Sequence, residues 1–257
     1  MYISKVNVVS SPVTALVFEQ QIEVMLDWAK QRLSKVVCVA NVHMLMEAHW
    51  HHDLKSVLET ADIVTPDGMP LVWMMRLLGA RAQDRVAGLD IFHAVCHKAA
   101  LEGVSIYLVG STSEVLNTMK AKLQDDFPSL KVAGLAPLPF RPLTEAEDEE
   151  LVNAINESGA GIAMVSLGCP KQERWMGDHR GPLNAVMIGL GGAFPVYAGL
   201  NKRAPKWIRD AGLEWLYRLA QEPRRLWKRY GTTIPPFIVL AIQQLMMRSR
   251  LQRSLRA

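Results

Sequence analysis

The chain has 257 residues, 49% hydrophobic and 21% charged, a balance that fits an ordinary globular protein and excludes wholesale disorder. Its three widely spaced cysteines, Cys38, Cys96 and Cys169, argue against a disulfide framework and for a reducing compartment. The net charge of +4 is uneven: residues 202–257 hold thirteen Lys/Arg against three Asp/Glu, a net +10, which leaves residues 1–201 at −6. A basic end on an acidic body points to an anionic partner surface, either membrane or nucleic acid.

The first residues lack the basic-then-apolar pattern of a signal peptide. A short strand is expected over 6–9, then an amphipathic helix over 18–33 with Ile22, Met25, Leu26 and Ala29 on one stripe. Residues 35–40 form a continuous apolar run, the mark of a buried strand, and end at the polar Asn41. Helices follow around 44–50 and 54–59. His49, His51 and His52 lie together there, as a polar helix end or, less simply, a metal site.

The β-branched Ile63, Val64 and Thr65 predict a strand that breaks at Pro66, Asp67 and Gly68 and restarts as a helix over 69–78. A polar residue at such a turn sits at the carboxyl end of a strand, where open α/β sheets bind ligands. Asp67 there suits a general base, or a cap on the following helix with Gly68 relieving the backbone. A basic loop spans 79–88 and a helix 89–101. The strand over 104–109 runs into Gly110, Ser111, Thr112 and Ser113 and a helix over 114–127. That turn reads as a phosphate cradle or as a plain capped loop. A short strand over 130–133 and a proline-rich connection over 137–142 follow. Thr144 and Glu147 make a capping box for a helix to about 156. Strands are expected over 161–167 and 185–189. Between them Pro170 opens a helical turn carrying Lys171, Gln172 and Glu173.

Alternating strands and helices imply an α/β fold: a mostly parallel open sheet with helices on both faces, Rossmann-like, over residues 1–200. Residues 201–257 form a helical C-terminal appendage, basic and partly apolar. In it Glu222 and Pro223 interrupt a helix over 213–221, and Pro235 and Pro236 begin a new apolar segment over 237–247. That segment is short of the roughly 20 residues needed to span a bilayer, and suits an element lying in the membrane interface. The alternative is a helix packed on the domain or on a partner subunit. The apolar run argues against nucleic acid as the partner.

No nucleotide motif is complete. Gly189 and Gly191 match the first two glycines of G-x-G-x-x-G, but the third position is Phe194. Neither a P-loop nor a G-x-S-x-G elbow occurs. There is no Asp-x-Asp pair, so a site without a metal, stabilising a leaving diphosphate with N–H groups and basic side chains, is expected.

Several motifs stand together in order: Ala40 and Asn41; Thr-Pro-Asp-Gly ending at Gly68; Arg-Val-Ala-Gly ending at Gly88; Gly-Cys-Pro-Lys-Gln-Glu-Arg-Trp ending at Trp175; Gly-Gly-Ala-Phe ending at Phe194; Arg203 to Pro205; Leu-Glu-Trp-Leu ending at Leu216; and Glu-Pro-Arg-Arg ending at Arg225. The set, covering nearly the whole chain, resembles the WecG/TagA/CpsF family of bacterial glycosyltransferases. The resemblance implies inverting transfer of a sugar from a UDP-sugar donor to a polyprenyl-diphosphate-linked sugar acceptor, at the cytoplasmic face of the inner membrane. It implies a peripheral protein on an anionic membrane surface, with no cofactor, metal or nucleic acid, and leaves a homo-oligomer open. It assigns Asp67 as the catalytic base. It places Asn41, Gly68, Arg85, Lys171, Gln172, Glu173, Gly191 and Gly192 around substrate, and the turn at Gly110 and Ser111 joins them as the candidate phosphate cradle read above. Arg203, Arg218, Arg224 and Arg225 would approach the lipid diphosphate and membrane.

One position departs: Pro195 stands where the family often has an acid after Gly-Gly-Ala-Phe, which puts the donor in doubt. The exopolysaccharide branch, with β-1,4-glucosyl transfer, is the preferred subgroup, and a UDP-N-acetylmannosamine transferase is the alternative. A non-catalytic nucleotide- or lipid-binding protein is the competing class.

Overall fold

A computed structural model of the protein describes residues 3–139 and 141–254. Met1 and Tyr2 of the N-terminus, Phe140 in the proline-rich connection and the last three residues lie outside the described residues. In chain order the elements are β1 (Lys5–Val8), β2 (Ser11–Thr14), α1 (Phe18–Lys30), β3 (Lys35–Ala40), α2 (Val42–Trp50), α3 (His52–Thr60), β4 (Ile63–Pro66), α4 (Met69–Leu77), α5 (Gly88–Glu102) and β5 (Ile106–Gly110). Then come α6 (Ser113–Asp126), β6 (Val132–Ala136), α7 (Glu145–Glu157), β7 (Ile162–Ser166), α8 (Lys171–Asp178), β8 (Val186–Gly189), α9 (Ala193–Tyr197), α10 (Lys206–Asp210), α11 (Glu214–Gln221) and α12 (Pro223–Ser254).

Six strands form one parallel sheet in the order β4-β3-β8-β7-β5-β6. The apolar strands alternate between two cores because successive side chains point to opposite faces. In β3, Val36, Cys38 and Ala40 face one core, and Val37 and Val39 the other. The first core is closed by α2, α3, α4, α7, α8 and part of α12; the second by α1, α5, α6 and α9. The expected α/β architecture is present, and the capping box of Thr144 and Glu147 opens α7.

Two local readings are corrected. The expected first strand is a hairpin: β1 and β2 pair antiparallel around Val9 and Ser10. Both turn residues have positive φ, 47° and 68°, as a two-residue turn of this hand demands. The sequence carries no glycine or asparagine there to signal it. Pro235 and Pro236, moreover, do not start a new helix but lie inside α12, which runs unbroken from Pro223 to Ser254. Proline removes an N–H from a helix interior, so the local signal is to stop. Packing outweighs it, since Leu226, Thr233, Phe237 and Ala241 are buried along one face, and the helix lies against α2.

Candidate active site

Parallel strands bring their carboxyl ends to one rim, and β3, β4 and β8 end side by side there. The register pairs Ala40 with Pro66, which sets Asn41 beside Asp67. The Asp67 N–H donates to the Ala40 carbonyl at 2.9 Å, and the Val86 N–H to the Pro66 carbonyl at 3.0 Å. The second bond draws the loop that carries Arg85 over the same strand end. A cavity of about 630 Å³ opens above these residues. Its floor includes Asn41, Asp67, Gly68, Arg85, Gln172, Gly191 and Gly192, while Arg203, Arg218 and Arg225 line it from the C-terminal segment.

Asp67 caps nothing. The N-cap of α4 is Gly68, with no side-chain cap bond, so the competing capping role is not the one the fold uses. Gly68 has φ −87° and ψ 136°, open to any residue, and an added Cβ would meet only ordinary contacts 3.7–3.9 Å away. The backbone therefore does not demand glycine here; its smallness leaves room in the cavity. Asp67 lies deep in the molecule but keeps access to solvent through the cavity. Burial pushes its carboxyl up to about 6, and the nearby Glu214 adds to the rise. Arg85, Arg218 and the Gly88 amide pull the other way.

The arginines are held by acids. Arg85 donates to Glu214 at 2.9 Å and stands 3.9 Å from Asp90. Arg203 pairs with Asp90, and Arg218 Nε is 3.7 Å from Glu214. Glu214 thus links an arginine from the body to one from α11. Asn41 Oδ1 caps α2 by accepting the Met44 N–H at 3.2 Å, which orients the side-chain amide and leaves its NH₂ group for a ligand.

Gln172 is held on both sides. Its Nε2 donates to Glu173 at 2.7 Å, and its Oε1 accepts the Gly191 N–H at 3.2 Å. A Cβ at Gly191 would lie 2.6 Å from that Oε1, and one at Gly189 2.9 Å from Nε2. The two glycines that mimic a dinucleotide fingerprint are therefore needed for the close approach of Gln172. Gln172 also ties α8 to the turn after β8. Glu173 is fully buried beneath it, and burial raises its carboxyl pKa.

Other expected residues fall elsewhere. Gly110 and Ser111 do not line this cavity. A Cβ at Gly110 would come within 2.4 Å of the Ser166 carbonyl, the Ser111 N–H donates to that carbonyl at 3.0 Å, and Thr112 caps α6. The turn is packed against the end of β7. Lys171 lies on α8, and Arg224 is exposed on α12; neither lines the cavity. Pro195 does, within α9, and two carboxylates, Glu214 and Glu222, share the lining with it. Glu214, Glu222, Arg229 and Tyr230 are site residues that the strand-end argument missed. Arg229 is largely enclosed, with burial lowering its pKa and, among the described residues, no partner for its Nε. The only hint in the sequence was the cluster of motifs around Glu214 and Glu222.

A carboxylate with a raised pKa, under arginines at the carboxyl rim of a parallel sheet, has the chemistry that group transfer to or from an anionic substrate calls for. The model of the WecG/TagA/CpsF glycosyl transferase family matches residues 6–251. The N-acetylglucosaminyldiphosphoundecaprenol N-acetyl-beta-D-mannosaminyltransferase of Bacillus subtilis (strain 168) is 32% identical over 216 residues, covering 83% of this chain and 81% of the relative. The protein of the same name from Bacillus spizizenii (strain W23) is 30% identical over 214 residues, covering 83% and 80%. The chain belongs to the WecG/TagA/CpsF family and is a glycosyltransferase.

Proposed function

We propose that this glycosyltransferase moves a sugar from a UDP-sugar to a polyprenyl-diphosphate-linked sugar, with inversion and with Asp67 as general base. The observation that carries the reading is Asp67 itself, held deep in the cavity at the end of β4 with its pKa raised to about 6 and two arginines nearby. At neutral pH it is mostly ionised, yet more basic than an ordinary aspartate. The acceptor hydroxyl oxygen attacks the anomeric carbon from the face opposite UDP. The new C–O bond forms, the bond to UDP breaks with its electron pair leaving on the diphosphate, and the hydroxyl proton passes to Asp67. Arg85 would balance the charge developing on the UDP diphosphate.

For the acceptor, the names of both Bacillus relatives support an N-acetylglucosaminyl diphosphate on a polyprenol. For the donor they favour N-acetylmannosamine over the glucosyl group of the exopolysaccharide branch. We further propose that residues 201–257 act as a membrane-surface appendage on the cytoplasmic face. No helix among the described residues is long and apolar enough to cross a membrane. On α12, Trp227, Val239, Met246 and Met247 are exposed beside Arg224, Lys228 and Arg250, the mixture an interface element carries.

The test is UDP release across a panel of UDP-sugars with a short-chain N-acetylglucosaminyl-diphosphate prenol. UDP-N-acetylmannosamine is expected to be the best donor. Release with UDP-glucose alone would overturn that donor and favour the glucosyl transfer expected from the sequence. No release with any lipid-linked acceptor would overturn the acceptor class.

A further inference from the structure

The cavity continues past its arginines into a cleft of opposite chemistry. One wall is α4, presenting Met69, Trp73 and Leu77; the other is α12, presenting Ile234, Ile238 and Ile242. Each set is spaced four residues apart, so each is a single stripe along its helix. These are large apolar groups left open: Trp73 is 47% exposed, Leu77 62%, Ile238 50% and Ile242 52%. Two apolar stripes lining one cavity would ordinarily close on each other, since apolar area removed from water is stabilising.

Contacts at both ends hold the gap. Near the arginines the turn at Gly212 packs under Trp73, where an added Cβ would lie 3.0 Å from the ring. At the far end Arg248 of α12 donates to the Leu77 carbonyl at the end of α4, at 2.9 Å. From Ile234 to Leu245 the wall of α12 is about 17 Å long at the helical rise.

We propose that this cleft seats the first isoprene units of the lipid acceptor. The diphosphate then lies at Arg218 and Arg225, and the acceptor sugar reaches Asp67. The inference rests on the polyprenyl-diphosphate reading above and adds where the hydrocarbon goes. The occupant is argued from the order of chemistry along one cavity: carboxylate, cationic collar, apolar cleft. That order matches sugar, diphosphate and hydrocarbon in a single amphiphile. A second copy of the chain would bring its own arginine collar against this one, like charge against like. The outward residues Val239, Met246 and Met247 remain for the membrane surface.

Two measurements on the full-length protein test the proposal. In the first, acceptors share the N-acetylglucosaminyl diphosphate and carry one, two or four isoprene units, used below their micelle concentrations without vesicles. The wild type is expected to gain roughly tenfold in kcat/KM from one unit to four, a modest share of the transfer free energy of the added hydrocarbon. Ile238→Asp, and separately Trp73→Ser, should flatten that dependence to under about threefold. Both sites are half exposed, so the fold should tolerate them; Ile242→Asp is the substitute if either variant fails to fold. In the second, geranylgeranyl diphosphate carrying a diazirine in its first unit is photolysed on the protein. The label is expected on Trp73, Leu77, Ile238 or Ile242.

A flat tail dependence in the wild type overturns the proposal. So does label confined to the outer face of α12 or to a separate, shallower groove between α2 and α12 lined by Met46, Trp50 and Pro236. A concentration-dependent dimer that shields Trp73 and Ile238 from label would assign the cleft to a second copy, also against the proposal. Failure of the transfer reading looks different: UDP is released with no acceptor of any length, while labelling of the cleft and its loss in Ile238→Asp persist.

Discussion

At Asp67, burial and charge pull in opposite directions, and the balance has consequences for both stability and rate. Its folded pKa, about 6, lies above the ordinary 3.8. The native state therefore binds more protons than the unfolded state between those values, and stability falls as pH rises through 6. Asp67→Asn should stabilise the protein above pH 7 by up to about 3 kcal/mol, and the gain should vanish below about pH 4. Thermal denaturation of both proteins across that range checks it; an equal or lower Tm for the variant at pH 8 would contradict it. Glu214 acts on the same carboxyl. It opposes ionisation of Asp67, whereas Arg85 and Arg218 favour it. In Glu214→Gln the two arginines are unopposed, so the acid limb of the kcat/KM profile should move to lower pH. A merely structural loss would lower the profile without moving that limb. Asp67 and Asn41 were legible in the sequence because strand ends announce themselves locally and parallel strands share a rim, whereas Arg85, in a loop before α5, came only from the family resemblance. Glu214 and Arg229 were not, because their place depends on how the C-terminal helices fold back.

Among the elements, α12 shows most clearly where local signals stop. A proline inside a helix costs about 3 kcal/mol, so two in a row read as a boundary. The helix passes through them because burying Phe237 and its neighbours against the body offsets that cost. The β1–β2 turn is a second case. Val9 and Ser10 have no local preference for left-handed backbone. Gln244 of α12 holds the turn instead: its Nε2 donates to the Asn7 carbonyl at 2.7 Å, and its Oε1 accepts the Val9 N–H at 3.0 Å. A contact 235 residues away in sequence is invisible to any reading of the turn itself. Gln244→Ala should cost about 1–3 kcal/mol, seen as a lower urea midpoint with an unchanged slope. By contrast the buried strands β3, β7 and β8 fell close to their apolar runs, since a run that must be covered on both faces has few other solutions.

For the whole molecule, the uneven charge and the site belong to one arrangement. The basic segment lines the cavity with Arg203, Arg218 and Arg225 and exposes Arg224 and Lys228 beside Trp227. Deleting α12 would uncover buried core, so charge reversal is the cleaner probe of membrane attachment. Arg224→Glu with Lys228→Glu should reduce flotation with anionic vesicles severalfold, and raising the salt should reduce flotation of the wild type in the same way. Undiminished flotation would place the attachment elsewhere. We propose base catalysis by Asp67, in transfer to a lipid-linked sugar, as the step that these features serve. Its most direct test is the pH dependence of UDP release with the short-chain acceptor, for the wild type and Asp67→Asn, beside UDP-sugar binding. The wild-type rate should fall below about pH 6, and the variant should lose on the order of 10²–10⁴ in rate while still binding donor. A variant within a few-fold of the wild type, with the same acid limb, would contradict base catalysis by Asp67.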